Sequence, residues 1–128
     1  MIVHSQFYSS DYDPPAPVLD VLIRAAGRSA PKVKLTALAD SGSDGTMIPT
    51  KTLKKLGASF VGTRRMRGVT GRARTVMLYS IVVEIGPHTI FGIRAIGSKD
   101  QTLLLGRDVL NQLNIGHNGL AEVVEVQG

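Results

Sequence analysis

The chain has no cysteine and no tryptophan, and its aromatic residues are limited to three tyrosines and three phenylalanines. Without cysteine there are no disulfide bonds, no thiolate catalysis and no cysteine-ligated zinc. This absence is typical of a reducing compartment, and we expect the protein in the cytoplasm. Because 43% of the 128 residues are hydrophobic, the sequence predicts one folded domain with a mainly aliphatic core.

Long apolar runs are also missing. No run approaches the roughly 20 residues that a membrane-spanning helix needs. The first residues, Met1 to Ser5, lack the basic segment and apolar core of a secretory signal. We therefore expect no signal peptide and no membrane association.

The net charge of +5 comes partly from a cluster of arginines. Such a cluster could contact phosphate backbones. However, the turn residues Gly68 to Gly71 lie in its middle, and no aromatic side chains alternate with the arginines to stack on bases. We favour a solvated hairpin and keep nucleic-acid binding as an alternative. The arginines are Arg64, Arg65, Arg67, Arg72 and Arg74.

Hydrophobic patterning predicts a mainly β domain with one or two short helices over residues 17–128. Residues 1–16 are predicted to be a partly flexible N-terminal arm that could contain a short strand. A helix is predicted over 49–57, with Thr50 or Thr52 as its cap and Gly57 as its end. A second short helix is predicted after Gly106, and residues 114–119 are predicted to be a loop. The predicted strands cover 18–23, 33–39, 60–67, 72–84, 89–96, 103–105 and 120–126.

The most informative stretch begins at Asp40, directly after an apolar strand that ends at Ala39. Ser41 and Gly42 follow, and apolar residues resume after Thr46. A carboxylate placed at the end of a buried strand is costly unless it is hydrogen-bonded or shared. Asp40 is therefore a candidate functional residue.

Four interpretations of this stretch compete. An ordinary polar turn is the commonest use of Asp, Ser and Gly together, but apolar residues bracket the turn closely. A calcium loop fails because Lys51 stands where the EF-hand needs a bidentate glutamate. A phosphate-binding loop fails because no Gly-Lys-Ser/Thr follows.

The fourth interpretation is half of a carboxylate pair. Two carboxyl groups about 3 Å apart share one proton, so one can activate water while the other protonates a carbonyl. The chain has no second Asp-Ser/Thr-Gly, but a homodimer would supply a second Asp40 across its two-fold axis.

Two motifs together resemble the retropepsin family of single-domain aspartic proteases. The resemblance covers about residues 17–126, and a glycine-bearing hairpin lies between the motifs where the family carries its flap. It implies a single-lobe acid-protease barrel that is active as a symmetric homodimer on peptide substrates. The motifs are Leu38-Ala39-Asp40-Ser41-Gly42-Ser43-Asp44 and Leu104-Leu105-Gly106-Arg107-Asp108-Val109-Leu110.

The resemblance also implies residue roles. Asp40 would be the catalytic aspartate, Ser41 would hydrogen-bond across the two-fold axis, and Gly42 would offer its carbonyl to the peptide. Asp44 would face substrate amides and form a structural ion pair with Arg107. Gly45 would contact substrate, and the flap tip that closes over the peptide would consist of Gly68, Val69, Thr70 and Gly71.

The sequence thus predicts an aspartic endopeptidase with no cofactor. The alternative is a retropepsin-like dimerisation or peptide-binding module with weak or no catalysis. No metal site is predicted, because His88 and His117 lie in predicted loops without a second ligand at suitable spacing, and His4 lies near a terminus. The terminal strands of the family usually interleave across the dimer. For that role residues 120–126 are a good candidate and residues 2–8 a poor one.

Overall fold

The computed structural model describes residues 1–27, 30–67 and 71–128, and these residues form ten strands and two short helices. The domain is mainly β, which confirms the predicted fold class. The strands are β1 (Ile2–Phe7), β2 (Val18–Ala25), β3 (Lys32–Ala39), β4 (Met47–Pro49), β5 (Ser59–Arg67), β6 (Ala73–Ile85), β7 (His88–Ser98), β8 (Leu104–Leu105), β9 (Ile115–Asn118) and β10 (Val123–Gln127); the helices are α1 (Thr50–Lys55) and α2 (Arg107–Leu110).

Seven strands form the main sheet, in the order β2-β3-β8-β4-β7-β6-β5. Strand β2 also pairs with β6, so the sheet folds back on itself around the core. That core is aliphatic, as the composition predicts. Its fully buried side chains come mainly from the strands and include Leu19, Ile23, Ile48, Leu53, Ile81, Ile85, Ile96 and Leu105.

The hairpin of β2 and β3 carries the chain to Asp40. The two strands pair antiparallel from Val18 opposite Leu38 to Arg24 opposite Lys32. At its far end β3 pairs in parallel with β8, which brings Ala39 beside Leu105. The two sequence motifs therefore meet at one point of the sheet.

A second, three-stranded sheet has the order β1-β10-β9 and joins both ends of the same chain. The prediction of a loop over residues 114–119 was wrong for β9, which pairs with β10. This strand has a single apolar residue, Ile115, so backbone pairing rather than an apolar pattern holds it. The N-terminal arm, for which a short strand was one possibility, contains β1, which pairs with β10 along most of its length.

Helix α1 begins one residue later and ends two residues earlier than the predicted range. Its N-cap is Pro49, with no side-chain cap, so the predicted cap by Thr50 or Thr52 was wrong. The Thr50 hydroxyl instead donates to the carbonyl of Ser98. Gly57 follows the helix with a φ of 71°, in the left-handed region that glycine tolerates best.

The helices in the described ranges are all too short or too polar to cross a lipid bilayer.

The N-terminal arm is attached to the main sheet through Asp20 on β2. The Gln6 side chain donates to Asp20 Oδ1 over 3.0 Å and accepts from the Asp20 amide over 2.7 Å. The hydroxyl of Thr36 donates to the same carboxylate. This bond from Thr36 is the largest cause that lowers the pKa of Asp20 below its usual value of 3.8, with smaller contributions from Gln6, Lys34 and His4.

Because the pKa of Asp20 is lower in the folded than in the unfolded chain, its ionised form stabilises the fold. This contribution is present above the ordinary aspartate pKa and disappears as the pH falls through the lowered value. We expect Asp20→Asn to have a lower free energy of unfolding than the wild type at about pH 6, with the difference shrinking towards about pH 2. Urea denaturation across this range measures it.

The control is Ser5→Ala, an exposed change on β1 that leaves the Asp20 hydrogen bonds in place. This variant should keep the pH dependence of the wild type. A constant difference between wild type and Asp20→Asn at all pH values would contradict the assignment.

Candidate active site

Asp40 stands at the junction of the two motifs, directly after β3, and is half-buried. Its amide donates to the carbonyl of Leu105 over 3.0 Å, and its carbonyl accepts from the amide of Ser43. Its carboxylate Oδ1 accepts from the amide of Gly42 over 2.9 Å. The backbone on both sides therefore fixes the carboxylate, and a Cβ at Gly42 would lie only 3.1 Å from that oxygen.

Thr46 connects the end of this turn to the start of α2 through hydrogen bonds. It is fully buried, and its hydroxyl donates to Asp108 Oδ1 over 2.7 Å while accepting from the amide of Gly106 over 3.1 Å. The Thr46 amide donates to Asp108 Oδ2, and Asp108 Oδ1 also accepts from the amide of Val109. One carboxylate thus joins two segments that are 62 residues apart in the sequence.

Sequence reasoning missed this Thr46–Asp108 contact. Asp108 was interpreted only as a favourable charge in the first turn of α2. The sequence does carry a signal for this contact. Thr46 directly precedes the apolar residues Met47 and Ile48, which indicates that it is buried, and a buried hydroxyl needs a hydrogen-bond partner.

Close packing of two glycines accompanies these hydrogen bonds. A Cβ built on Gly106 would lie 2.5 Å from the carbonyl carbon and 2.6 Å from the carbonyl oxygen of Gly45. No side chain fits between backbones this close. Gly106 thus lets the start of α2 pack against the turn that follows Asp40.

The structure differs from the predicted ion pair between Asp44 and Arg107. In the described part of the chain these two residues are not paired with each other. Arg107 Nη1 donates to the carbonyl of Ser41 over 2.8 Å, and the Arg107 amide donates to the carbonyl of Ser43. Asp44 Oδ1 lies 3.7 Å from Arg64 Nη2 instead. Arg107 therefore still joins α2 to the turn, but through a backbone carbonyl.

Strand β5 and the part of β6 that pairs with it form a long antiparallel hairpin beside this turn, which we name the arginine hairpin (residues 59–80). Its predicted tip residues Gly68, Val69 and Thr70 lie outside the described residues. Gly71 is described and has a φ of 79°. From the middle of β5, Arg64 Nη2 would be 2.8 Å from a Cβ on Gly45, so the guanidinium lies directly over the turn.

A cleft of about 570 Å³ lies between the arginine hairpin, β4 and the end of β7. Its apolar lining includes Met47, Val76 and Ile96, and its charged lining consists of Arg74, Lys99 and Asp100. The amide of Thr102 donates to Asp100 Oδ1 over 2.8 Å. The Thr102 side chain is the largest cause that lowers the pKa of Asp100, and Arg74 contributes as well.

Asp40 is the carboxylate at the centre of the turn. Of its acidic neighbours in the described part of the chain, Asp44 lies beside Arg64 and Asp108 is bound to Thr46. Water activation by a proton-sharing pair would need a second carboxylate beside Asp40. Within the described ranges, no group of three or more His, Asp or Glu side chains comes together to hold a metal ion.

Replacing Gly106 with alanine tests the close packing. The new methyl group would overlap Gly45, whose backbone must then move, and we expect a loss of at least about 2 kcal/mol of stability. Thermal and urea unfolding measure it. The matched control is Gly116→Ala on β9, where a Cβ meets no atom within 4 Å. Equal stability of the two variants would contradict the packing argument.

Thr46→Val tests the buried hydroxyl at nearly constant volume. The change leaves the Gly106 amide without its acceptor and removes a donor from Asp108, so we expect a loss of about 1–3 kcal/mol. Urea unfolding measures it against Thr89→Val, an exposed position on β7 where we expect a change within about 0.5 kcal/mol. A Thr46 variant as stable as the wild type would exclude this contact as a source of stability.

Comparison with known proteins agrees with this geometry. The family model described as aspartyl protease matches residues 25–109, which include Asp40 and the second motif as far as Val109. No curated protein matches the sequence. A solved structure of a retropepsin-like aspartic protease from Rickettsia conorii is similar with a TM-score of 0.63 and 14% identity, and the similarity covers 96% of this chain and 88% of that one. The fold is therefore retropepsin-like, and because the family model spans more than half of its length, the chain belongs to the aspartyl protease family.

Proposed function

We propose that the protein is an aspartic endopeptidase that acts as a homodimer, with Asp40 of each chain forming the catalytic pair. The observation that carries the proposal is the placement of Asp40, whose carboxylate is oriented by the Gly42 amide at the end of a buried strand. Two residues of the second motif hold the turn in place. The Gly106 amide donates to the Thr46 hydroxyl, and Arg107 donates to the carbonyl of Ser41. A catalytic carboxylate needs its geometry held to a fraction of an ångström.

In this proposal, a water molecule bound between the two Asp40 carboxyl groups attacks the scissile carbonyl carbon. The ionised carboxylate takes a proton from the water, while the protonated carboxyl donates its proton to the carbonyl oxygen. The resulting gem-diol collapses when the carboxyl group that took the water proton passes it to the amide nitrogen, the other carboxylate takes a proton from a gem-diol hydroxyl, and the C–N bond breaks. Both products leave, and the pair again shares one proton.

The peptide would bind in an extended form between the turn and the arginine hairpin, by backbone hydrogen bonding with alternate side chains in pockets. Gly42 would offer its carbonyl to the peptide, and Asp44 and Gly45 would contact its backbone. Ser41 would hydrogen-bond across the two-fold axis. The segment Gly68 to Gly71 would close over the bound peptide and exclude water.

Substituting Asp40 tests the proposal. Asp40→Asn keeps the size of the side chain but cannot act as a base, so we expect peptide hydrolysis to fall at least about a thousandfold while the fold is kept. Digestion of a peptide library between about pH 4 and 7 measures activity, and circular dichroism checks the fold.

The wild type also serves as its own test of the shared site. If each chain supplies half of the site, its specific activity should fall on dilution, in step with dissociation measured by ultracentrifugation. Hydrolysis that survives in Asp40→Asn would contradict the catalytic role. A folded wild-type dimer that binds peptides but cleaves none would favour the alternative, a dimerisation or peptide-binding module.

A further inference from the structure

The excess of positive over negative charge in the protein lies in the arginine hairpin. This segment contains five arginines and no Asp or Glu. The remaining ten Lys and Arg residues equal the ten Asp and Glu residues in number, so the hairpin accounts for the whole net charge of +5. The strong positive electrostatic potential of these arginines therefore lies beside the turn that carries Asp40.

The pairing of β5 with β6 divides these arginines between two faces. Residues directly opposite each other in an antiparallel pair lie on the same face. Arg64 pairs with Val76 and Met66 pairs with Arg74, and Val76 is buried against the core, so Arg64 and Arg74 belong to the inner face. Arg65 and Arg67 alternate with them and belong to the outer face.

Arg74 and Val76 of the inner face line the cleft described above, together with their neighbours Thr75 and Met77. Arg74 and Lys99 are charged residues that line the cleft, and Met47, Val76 and Ile96 supply its apolar surface. The only ion pair that the described residues provide to the hairpin arginines joins Arg64 to Asp44. Arg74 therefore has the charge of Asp100 nearby but no carboxylate in direct contact in the described part of the chain.

We propose that this cleft selects peptides with an acidic side chain, glutamate above all, close to the bond that is cut. The inference rests on the proposed peptidase function and names its substrate class. The methylene groups of a glutamate would pack on Met47, Val76 and Ile96 while its carboxylate meets Arg74 and Lys99. Hydrogen bonds between a guanidinium and a carboxylate are among the strongest that a side chain can offer.

A nucleic acid is the other partner that the arginines could attract. The apolar lining of the cleft argues against a phosphate backbone as its occupant. The part of the hairpin that carries the arginines also offers no base-stacking side chain, because no aromatic residue occurs between residues 61 and 78. A side chain with an apolar stem and an acidic end suits this lining better.

Matched peptides that differ only in Glu, Gln or Lys at each position around the cleaved bond test the proposal. At one position or more, the wild type should cut the Glu peptide with a kcat/KM about tenfold above the Gln peptide, equivalent to about 1.4 kcal/mol. Arg74→Gln should bring this ratio close to one, and Lys99→Gln should lower it. Arg74→Glu should favour the Lys peptide. High salt should weaken the preference.

The control is Arg65→Gln, which removes the same charge from the outer face of the same hairpin and should keep the wild-type ratio. Equal cleavage of Glu and Gln peptides by the wild type would overturn the inference and leave the peptidase intact. An equal loss in Arg65→Gln would overturn it in favour of general attraction. Cleavage of no peptide would instead refute the proposed function.

Binding of a single-stranded oligonucleotide gives a further outcome. Tight, salt-dependent binding that falls equally in Arg65→Gln and Arg74→Gln would assign the arginines to nucleic acid and overturn the inference. Failure of the oligonucleotide to compete with the Glu peptide supports it.

Discussion

The hydrogen bonds between Thr46 and Asp108 are the constraint on which the candidate site depends. The turn after Asp40 is made of small and polar residues, so it has no apolar side chains of its own to hold its shape. A buried hydroxyl and a carboxylate from α2 supply the missing restraint. Because the loss of either partner would remove a buried hydrogen bond from the other, the turn and α2 stabilise each other.

Backbone contacts extend this restraint to the strands on either side. The amide of Asp40 donates to Leu105, and the amide of Ile96 donates to the carbonyl of Thr46. Gly106 packs directly on Gly45. The chain thus converges on the turn from three places, and this explains why two motifs far apart in the sequence act as one structural unit. Either motif alone would leave the carboxylate on a loosely held loop.

Much of this arrangement follows from local patterns. The alternation in β2 and β3, the carboxylate after Ala39 and the glycine at residue 57 all depend on neighbouring residues, so the sequence predicts them. Partners of polar side chains depend on distances across the fold. Asp44 and Arg107 each have a different partner from the one expected, because Arg64 and the carbonyl of Ser41 are closer in space. The role of Thr46 depends on tertiary contact in the same way.

The pairing of β1 with β10 has a consequence for the proposed homodimer. Residues 2–7 and 123–127 pair within one molecule, so this sheet forms without a strand from a second copy. In the proposed homodimer, folding and subunit encounter would then be separate steps, the first independent of protein concentration and the second governed by it. In such a system the amount of protein in the cell would itself act as the control on activity.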